Sequence, residues 1–224
     1  MEYIIASYPR SGNLWVRYLI EWFSKRPTIG EGNDYSWDPP LYTRKELSHI
    51  KIENKDPLAV KRHWIRDSDD RSLGLILVIR NYNECILKHL QIKDIDSLYK
   101  KQHQLIENIN QYTALLYHFE QWNKNKLIIY YEDLIDDYCE EIQRLLKFCN
   151  IFNDTEFKLF MHNYHQHRNS TVNYYDQEAG SETKGLLKVY YINFIPDDQK
   201  TLIQNYLVEK HTYIFNKYLS RYLL

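Results

Sequence analysis

Arg10, Lys61, His63 and Arg80 are the residues whose types and settings suit work on an anionic group. Arg10 sits in Ser7-Tyr8-Pro9-Arg10-Ser11-Gly12-Asn13-Leu14-Trp15, between an apolar run and a helical pattern. A turn with one glycine and small polar side chains aims backbone N–H groups and the positive end of a helix dipole at one point, where an anion can sit. Arg10 adds a full charge and a forked donor set. The plain alternative is an ordinary strand-to-helix turn with a surface arginine. It is not a Walker A loop: no Lys-Ser/Thr pair opens the helix, so a Mg–nucleotide has no obvious ligand.

Lys61-Arg62-His63 places an ammonium and an imidazole two residues apart at the end of a short apolar run. Imidazole is suited to taking a proton from a hydroxyl near neutral pH, although a lone histidine at a strand end reads as structural. Arg80 ends one apolar run and precedes a helical one, so it projects from the carboxyl edge of a sheet. A second phosphate can lie there; a salt bridge to a nearby carboxylate is the alternative. Tyr131-Glu132-Asp133-Leu134 closes another strand, and its acidic pair reads as a cap for the next helix. His162, His165 and His167 make an H-x-x-H-x-H cluster with no neighbouring cysteine, closer to a polar helix end than to a metal site.

The elements that position these groups alternate. Tyr3–Tyr8 reads as a buried strand and 13–24 as a helix. Residues 25–57, punctuated by Pro27, Gly30, Gly32, Pro39, Pro40 and Pro57, read as a long irregular segment of the kind that forms lids or binding loops. Short or central strands are predicted at 58–64, 73–79 and 126–131, helices at about 82–93, 100–123, 135–149 and 154–163, a polar loop at 164–183 and a final helical region from Pro196. This order predicts an α/β protein with a parallel sheet, in which ligands bind beyond the carboxyl ends of the strands.

The 224 residues suit one domain spanning 1–224, and 44% hydrophobic with 15% aromatic residues supports a packed core. A net charge of −1 gives no global field for nucleic acid, so an anion site has to be built locally. The 3 cysteines, Cys85, Cys139 and Cys149, lack metal or CxxC spacing and fit reduced thiols in the cytoplasm. The first strand starts almost at the N-terminus, without a signal-peptide pattern. The apolar run Leu73–Ile79 is too short to span a bilayer.

Tyr8-Pro9-Arg10-Ser11-Gly12-Asn13-Leu14-Trp15 closely resembles the 5′-phosphosulfate loop of sulfotransferases that use 3′-phosphoadenosine 5′-phosphosulfate (PAPS), which carry Tyr-Pro-Lys/Arg-Ser-Gly-Thr/Asn-Thr-Trp. The resemblance runs in order from Tyr3 to about Phe194. It implies a P-loop-like three-layer fold with a central parallel β-sheet flanked by helices. It implies that Arg10 contacts the phosphosulfate bridge and that the backbone of Ser11, Gly12, Asn13, Leu14 and Trp15 cradles the 5′-phosphate. Leu14 stands where threonine is usual and removes one hydroxyl donor. Arg80-Asn81 matches the family's Arg-Asn-Pro-x-Asp, whose arginine binds the 3′-phosphate. The serine that follows by eight residues is Lys88 here, which can neutralise the same phosphate or face solvent. Tyr131, in Tyr-Glu-Asp-Leu, is implied to border the adenine. The family's C-terminal Arg-Lys-Gly motif agrees in spacing at Lys184, Gly185 and Phe194, of which Lys184 and Gly185 are implied as 3′-phosphate contacts.

The family's Lys-x-His corresponds to Lys61-Arg62-His63, which implies His63 as the base, with Lys61 and Arg10 stabilising charge as the sulfuryl group moves. A carboxylate within 31–56 is the rival base. The implied donor is PAPS, the implied product adenosine 3′,5′-bisphosphate (PAP), and no metal is required. Tyr35, Trp37, Tyr42 and Trp64 suit an aromatic-walled acceptor site, and the loop's wording leans toward a sugar or another small hydroxylated metabolite. Two other classes stay open: a non-catalytic nucleotide-binding protein on this scaffold, and a small-molecule kinase with a degenerate phosphate loop.

Overall fold

A computed structural model describes residues 2–30, 39–66, 69, 71–92, 95–178 and 197–223. Five strands, β1 (Tyr3–Ser7), β2 (Thr28–Ile29), β3 (Ala59–Arg62), β4 (Gly74–Ile79) and β5 (Lys126–Tyr130), form one parallel sheet in the order β2-β3-β1-β4-β5. Between and after them run α1 (Asn13–Ser24), α2 (Tyr82–His89), α3 (Ile95–Lys100), α4 (Gln102–Gln121), α5 (Asp133–Asp136), α6 (Tyr138–Phe148), α7 (Asp154–His162), α8 (Tyr164–Glu178), α9 (Asp197–Lys210) and α10 (Thr212–Ile214).

The strands are apolar on both faces because both are covered. Ile4, Ala6, Leu75, Leu77 and Ile79 pack with residues of α2, α4 and the C-terminal helices. Tyr3, Ile5, Ile76, Val78 and Ile129 pack on the opposite side with α1, α6 and α7. This period-2 division makes three layers and brings the carboxyl ends of β1, β3, β4 and β5 to one edge. Among the described residues no helix is long and apolar enough to cross a membrane.

Two features depart from the sequence expectation. Residues 164–178 form α8 rather than a loop. Its buried stripe is Tyr164, His167 and Thr171, spaced as a helix face requires but built from residues that do not register as apolar. The irregular segment after α1 contains β2 and is tied to α1 by two buried charged side chains. Glu21 accepts hydrogen bonds from the Thr28 amide (3.0 Å), the Thr28 hydroxyl (2.6 Å) and the amides of Leu41 (3.0 Å) and Tyr42 (3.1 Å). Arg17 donates to the Thr28 hydroxyl (2.8 Å) and the Pro39 carbonyl (3.1 Å). Tyr42 is placed by this network; Tyr35 and Trp37 lie outside the described residues.

Candidate functional site

The turn from β1 into α1 has two residues in the left-handed region, Arg10 (φ 68°) and Gly12 (φ 94°). Glycine is required at 12 on two counts. A side chain at that φ is strained, and a Cβ would stand 2.1 Å from Cδ2 of Tyr131. Arg10 tolerates its conformation at a cost of about 1–2 kcal/mol, the kind of strain that gathers at ligand sites. Ser11 is fully buried beside the Cys85 thiol, and its amide donates to the Tyr8 carbonyl at 3.2 Å. The Asn13 amide donates to the Ser7 hydroxyl at 2.9 Å and fixes the start of α1. Leu14 and Trp15 are buried against the turn, and the Trp15 indole N–H has no hydrogen-bond partner among the described residues.

Two cavities flank this turn, and Arg10 lines both. The smaller, about 90 Å³, is bounded by Gly12, Leu14, Trp15, Arg80, Lys88, Tyr131 and, from α8, Arg168 and Thr171. Arg80 follows β4, donates to the Arg10 carbonyl at 3.3 Å and lies 4.5 Å over the Tyr131 ring. It is also 3.8 Å from Glu84, the salt bridge that the bare sequence left open. Lys88, one turn further along α2, is buried and pairs with the same carboxylate at 3.0 Å; it does not face solvent. Burial, and next the Arg80 charge, lower the Lys88 pKa, while Glu84 pulls it back.

Tyr131 directly follows β5 and is held by its amide to the Ile79 carbonyl at 2.7 Å. Arg168 donates to the Tyr131 hydroxyl and lies 5.3 Å over the Trp15 ring. Nothing in the sequence marked Arg168, because 164–183 read as a loop. The acidic pair after Tyr131 does not cap α5. Glu132 accepts from the Asn81 amide (2.9 Å) and the Tyr222 hydroxyl (2.7 Å), and Asp133 pairs with Arg221 at 2.5 Å.

The larger cavity, about 650 Å³, opens on the other side of Arg10 and is lined by Lys61, His63, Trp64, His89, Gln111 and His118, among others. Lys61 is on β3, opposite Ile5 of β1. His63 lies just beyond β3, and its Nδ1 donates to the Ser7 carbonyl at 2.9 Å. A carbonyl can only accept, so the neutral ring carries its proton on Nδ1 and Nε2 is the basic nitrogen. His89, at the end of α2, was not singled out by the sequence. Burial, then the Arg10 charge, then His63 lower its pKa.

The structure thus brings Arg10, Ser11, Gly12, Asn13, Leu14, Trp15, Lys61, His63, Arg80, Lys88 and Tyr131 to one edge of the sheet. Lys184 and Gly185 lie outside the described residues. His162 and His165 are exposed while His167 is buried against Tyr18, and among the described residues no group of three or more His, Cys, Asp or Glu is arranged to hold a metal.

No protein-family model matches the sequence, and no curated protein matches it. Solved structures do match in shape. Mouse sulfotransferase SULT7A1 complexed with PAP superposes with a TM-score of 0.58 at 15% identity, over 93% of this chain and 83% of that one. Retinol dehydratase in a complex with retinol and PAP gives 0.60 at 14% identity, over 93% and 80%. The five-stranded parallel sheet between two helical layers is therefore the P-loop-like fold of the PAPS-dependent sulfotransferases.

Proposed function

We propose that this chain, as one domain, is a sulfotransferase that moves the sulfuryl group of PAPS to a hydroxyl of a small acceptor, a sugar or another hydroxylated metabolite. The observation that carries the reading is Arg10, which lines a cavity ringed by Arg80, Lys88, Trp15 and Tyr131 and also the cavity that contains Lys61 and His63. A group passing between two ligands has to cross such a boundary. PAP in both structural neighbours, and retinol together with PAP in one, support a nucleotide donor and a small acceptor.

His63 takes the acceptor proton on Nε2, the nitrogen left basic by its bond to Ser7. The acceptor oxygen then forms its bond to sulfur as the bond from sulfur to the bridging oxygen breaks. The electron pair of that bond leaves with PAP. Arg10 and Lys61 stabilise the charge that grows on the bridging oxygen, and the amides of Gly12, Asn13 and Leu14 hold the 5′-phosphate, those of Ser11 and Trp15 already donating to the Tyr8 (3.2 Å) and Gly12 (3.1 Å) carbonyls of the same loop. Arg80 and Lys88 face the 3′-phosphate, with Lys184 and Gly185 as further contacts. Tyr131 and Trp15 border the base. Most of the rate enhancement is positioning plus electrostatics, as in phosphoryl transfer.

The donor cavity is smaller than the several hundred Å³ of ordinary ligand sites. Arg168 bonds the Tyr131 hydroxyl and lies over Trp15, so it narrows the space between the two rings. Glu84, already between Arg80 and Lys88, competes with a 3′-phosphate for both cations and favours a second reading: a non-catalytic protein on this scaffold, with nucleotide binding weakened or lost. A cytoplasmic setting rests on three free thiols, two of them buried.

Thermal unfolding with PAP, set beside Mg–ATP, tests the donor. A ligand at 100 times its Kd adds about 2.7 kcal/mol of stability. A shift with PAP and sulfuryl transfer from PAPS are expected. PAP binding without transfer to any acceptor would establish the non-catalytic reading, and a shift only with Mg–ATP would establish a kinase.

A further inference from the structure

The two peptide groups that flank the Cα of Arg80 are both pinned by remote parts of the chain. On one side, the Ile79 carbonyl accepts from the Tyr131 amide at 2.7 Å. On the other, the Arg80 carbonyl accepts from the Tyr112 hydroxyl at 2.8 Å, and the Asn81 amide of the same peptide group donates to Oε1 of Glu132 at 2.9 Å. The second peptide group lies between β4 and α2, where neither a ladder nor a helix supplies its partners. Tyr112 is buried and reaches it from α4; Glu132 reaches it from just beyond β5.

Glu132 uses both of its oxygens. Oε2 accepts from the Tyr222 hydroxyl at 2.7 Å, and the adjacent Asp133 pairs with Arg221 at 2.5 Å. Tyr222 is buried, with its ring edge-on to Tyr82 at 6.2 Å. Hydrogen bonds to a carboxylate are roughly twice as strong as neutral ones, so the segment after α10 acts on the Arg80–Asn81 peptide through a firm link. Peptide groups are planar, so fixing the two that meet at one Cα fixes φ and ψ there and the direction in which the side chain leaves. The Arg80 guanidinium then lies 4.5 Å over the Tyr131 ring and donates to the Arg10 carbonyl at 3.3 Å. A long side chain aimed in advance loses less freedom when it meets an anion.

Resting on the sulfotransferase reading, in which Arg80 faces the 3′-phosphate, we infer that Tyr112, Glu132 and Tyr222 are positioning residues of the donor site, which hold the Arg80 backbone so that its guanidinium points at that phosphate. None of the three lines the smaller cavity, so each acts through Arg80.

The test titrates PAP, and AMP, which lacks the 3′-phosphate, into the full chain by calorimetry. Y112F removes the bond to the Arg80 carbonyl and keeps the buried ring; E132A removes the acceptor of the Asn81 amide. Each is expected to weaken PAP about five- to tenfold, the value of one hydrogen bond, and to leave AMP within about twofold. Y222F acts one bond further out and is expected to weaken PAP by about two- to threefold. E132Q keeps an oxygen for the Asn81 amide and an NH₂ that donates to the Tyr222 hydroxyl, and is expected to recover most of the preference for PAP. In an R80A background, Y112F is expected to change PAP and AMP binding equally. Y112F carries the test if E132A does not fold. A wild-type PAP-to-AMP ratio in Y112F overturns the inference, as does a selective loss of PAP that persists in the R80A background. Failure of the underlying reading looks different: the wild-type chain does not bind PAP, or R80A leaves its preference over AMP unchanged, and either result removes the inference as well.

Discussion

Nδ1 of His63 donates to the main-chain carbonyl of Ser7, so the strand that launches the Arg10 turn also sets the tautomer of the imidazole across from it. One short β1 end thus aligns both halves of the proposed reaction. Replacing His63 by glutamine keeps a polar side chain but removes the basic nitrogen. The expected result is a fall in kcat of about 10²–10⁴ with PAP binding retained. Steady-state transfer from PAPS, beside a PAP thermal shift, is the check. Turnover within a few-fold of wild type would transfer the role to another group, with a carboxylate in 31–56 the first candidate.

Gly12 and Tyr131 are in contact so close that the ring lies where a Cβ would be. Gly12→Ala therefore combines left-handed strain with displacement of Tyr131, and is expected to cost about 2 kcal/mol or more of stability. A double-mutant cycle with Tyr131→Ala separates the two. If the ring is the obstacle, the cost of Gly12→Ala shrinks in the Tyr131→Ala background. An unchanged cost would assign all of it to the backbone.

What the sequence made legible was the part encoded in local pattern. Leu75 to Ile79 is apolar at every position because both sheet faces are covered, and that reads directly as a central strand. The Pro-Arg-Ser-Gly turn and Arg80 reach the site because they sit at strand ends, where chain order alone fixes the edge. Tertiary pairing was not legible. Glu21 looks like one more polar position on α1, yet it is buried and organises the start of the segment after α1. Arg168 and His89 enter the site from helices whose register against the sheet is set by packing, and α8 buries histidine and threonine where a pattern reader looks for leucine. The acidic pair after Tyr131 failed for the same reason: its partners, Asn81, Tyr222 and Arg221, are remote in sequence.

Lys88 stands where the serine of the resembling motif would be and is bound to Glu84 beside the smaller cavity, the proposed donor site. Lys88→Ala alone takes from that buried carboxylate its partner at 3.0 Å, and is expected to destabilise the fold by about 3 kcal/mol. Glu84→Gln in the same chain relieves the charge. In that double variant, the affinity for PAP is expected to fall at least about tenfold more than that for AMP, which lacks the 3′-phosphate. An equal loss for both nucleotides would make Lys88 a structural partner of Glu84 and leave the 3′-phosphate to Arg80.

His167 offers a stability readout independent of catalysis. Its Nδ1 lies 2.8 Å from the Tyr18 hydroxyl, its ring stacks on Phe160 at 4.3 Å, and Trp22 closes another side at 4.3 Å. Burial, followed by the nearby His49 and Lys25 charges, lowers its pKa from 6.5 to about 4. The unfolded chain therefore binds a proton between those values that the folded chain does not, so stability rises with pH across the window and is lost as pH falls through it. The loss from this one group is about 2 kcal/mol by pH 5. Urea unfolding of wild type and His167→Gln at pH 7.5 and pH 5 isolates it. The variant lacks the histidine's packing at both values, but it is expected to lose about 2 kcal/mol less than wild type on acidification. A wild-type-to-variant difference that stays constant with pH would mean that His167 takes up its proton without leaving the stack, with Tyr18 accepting from the imidazolium.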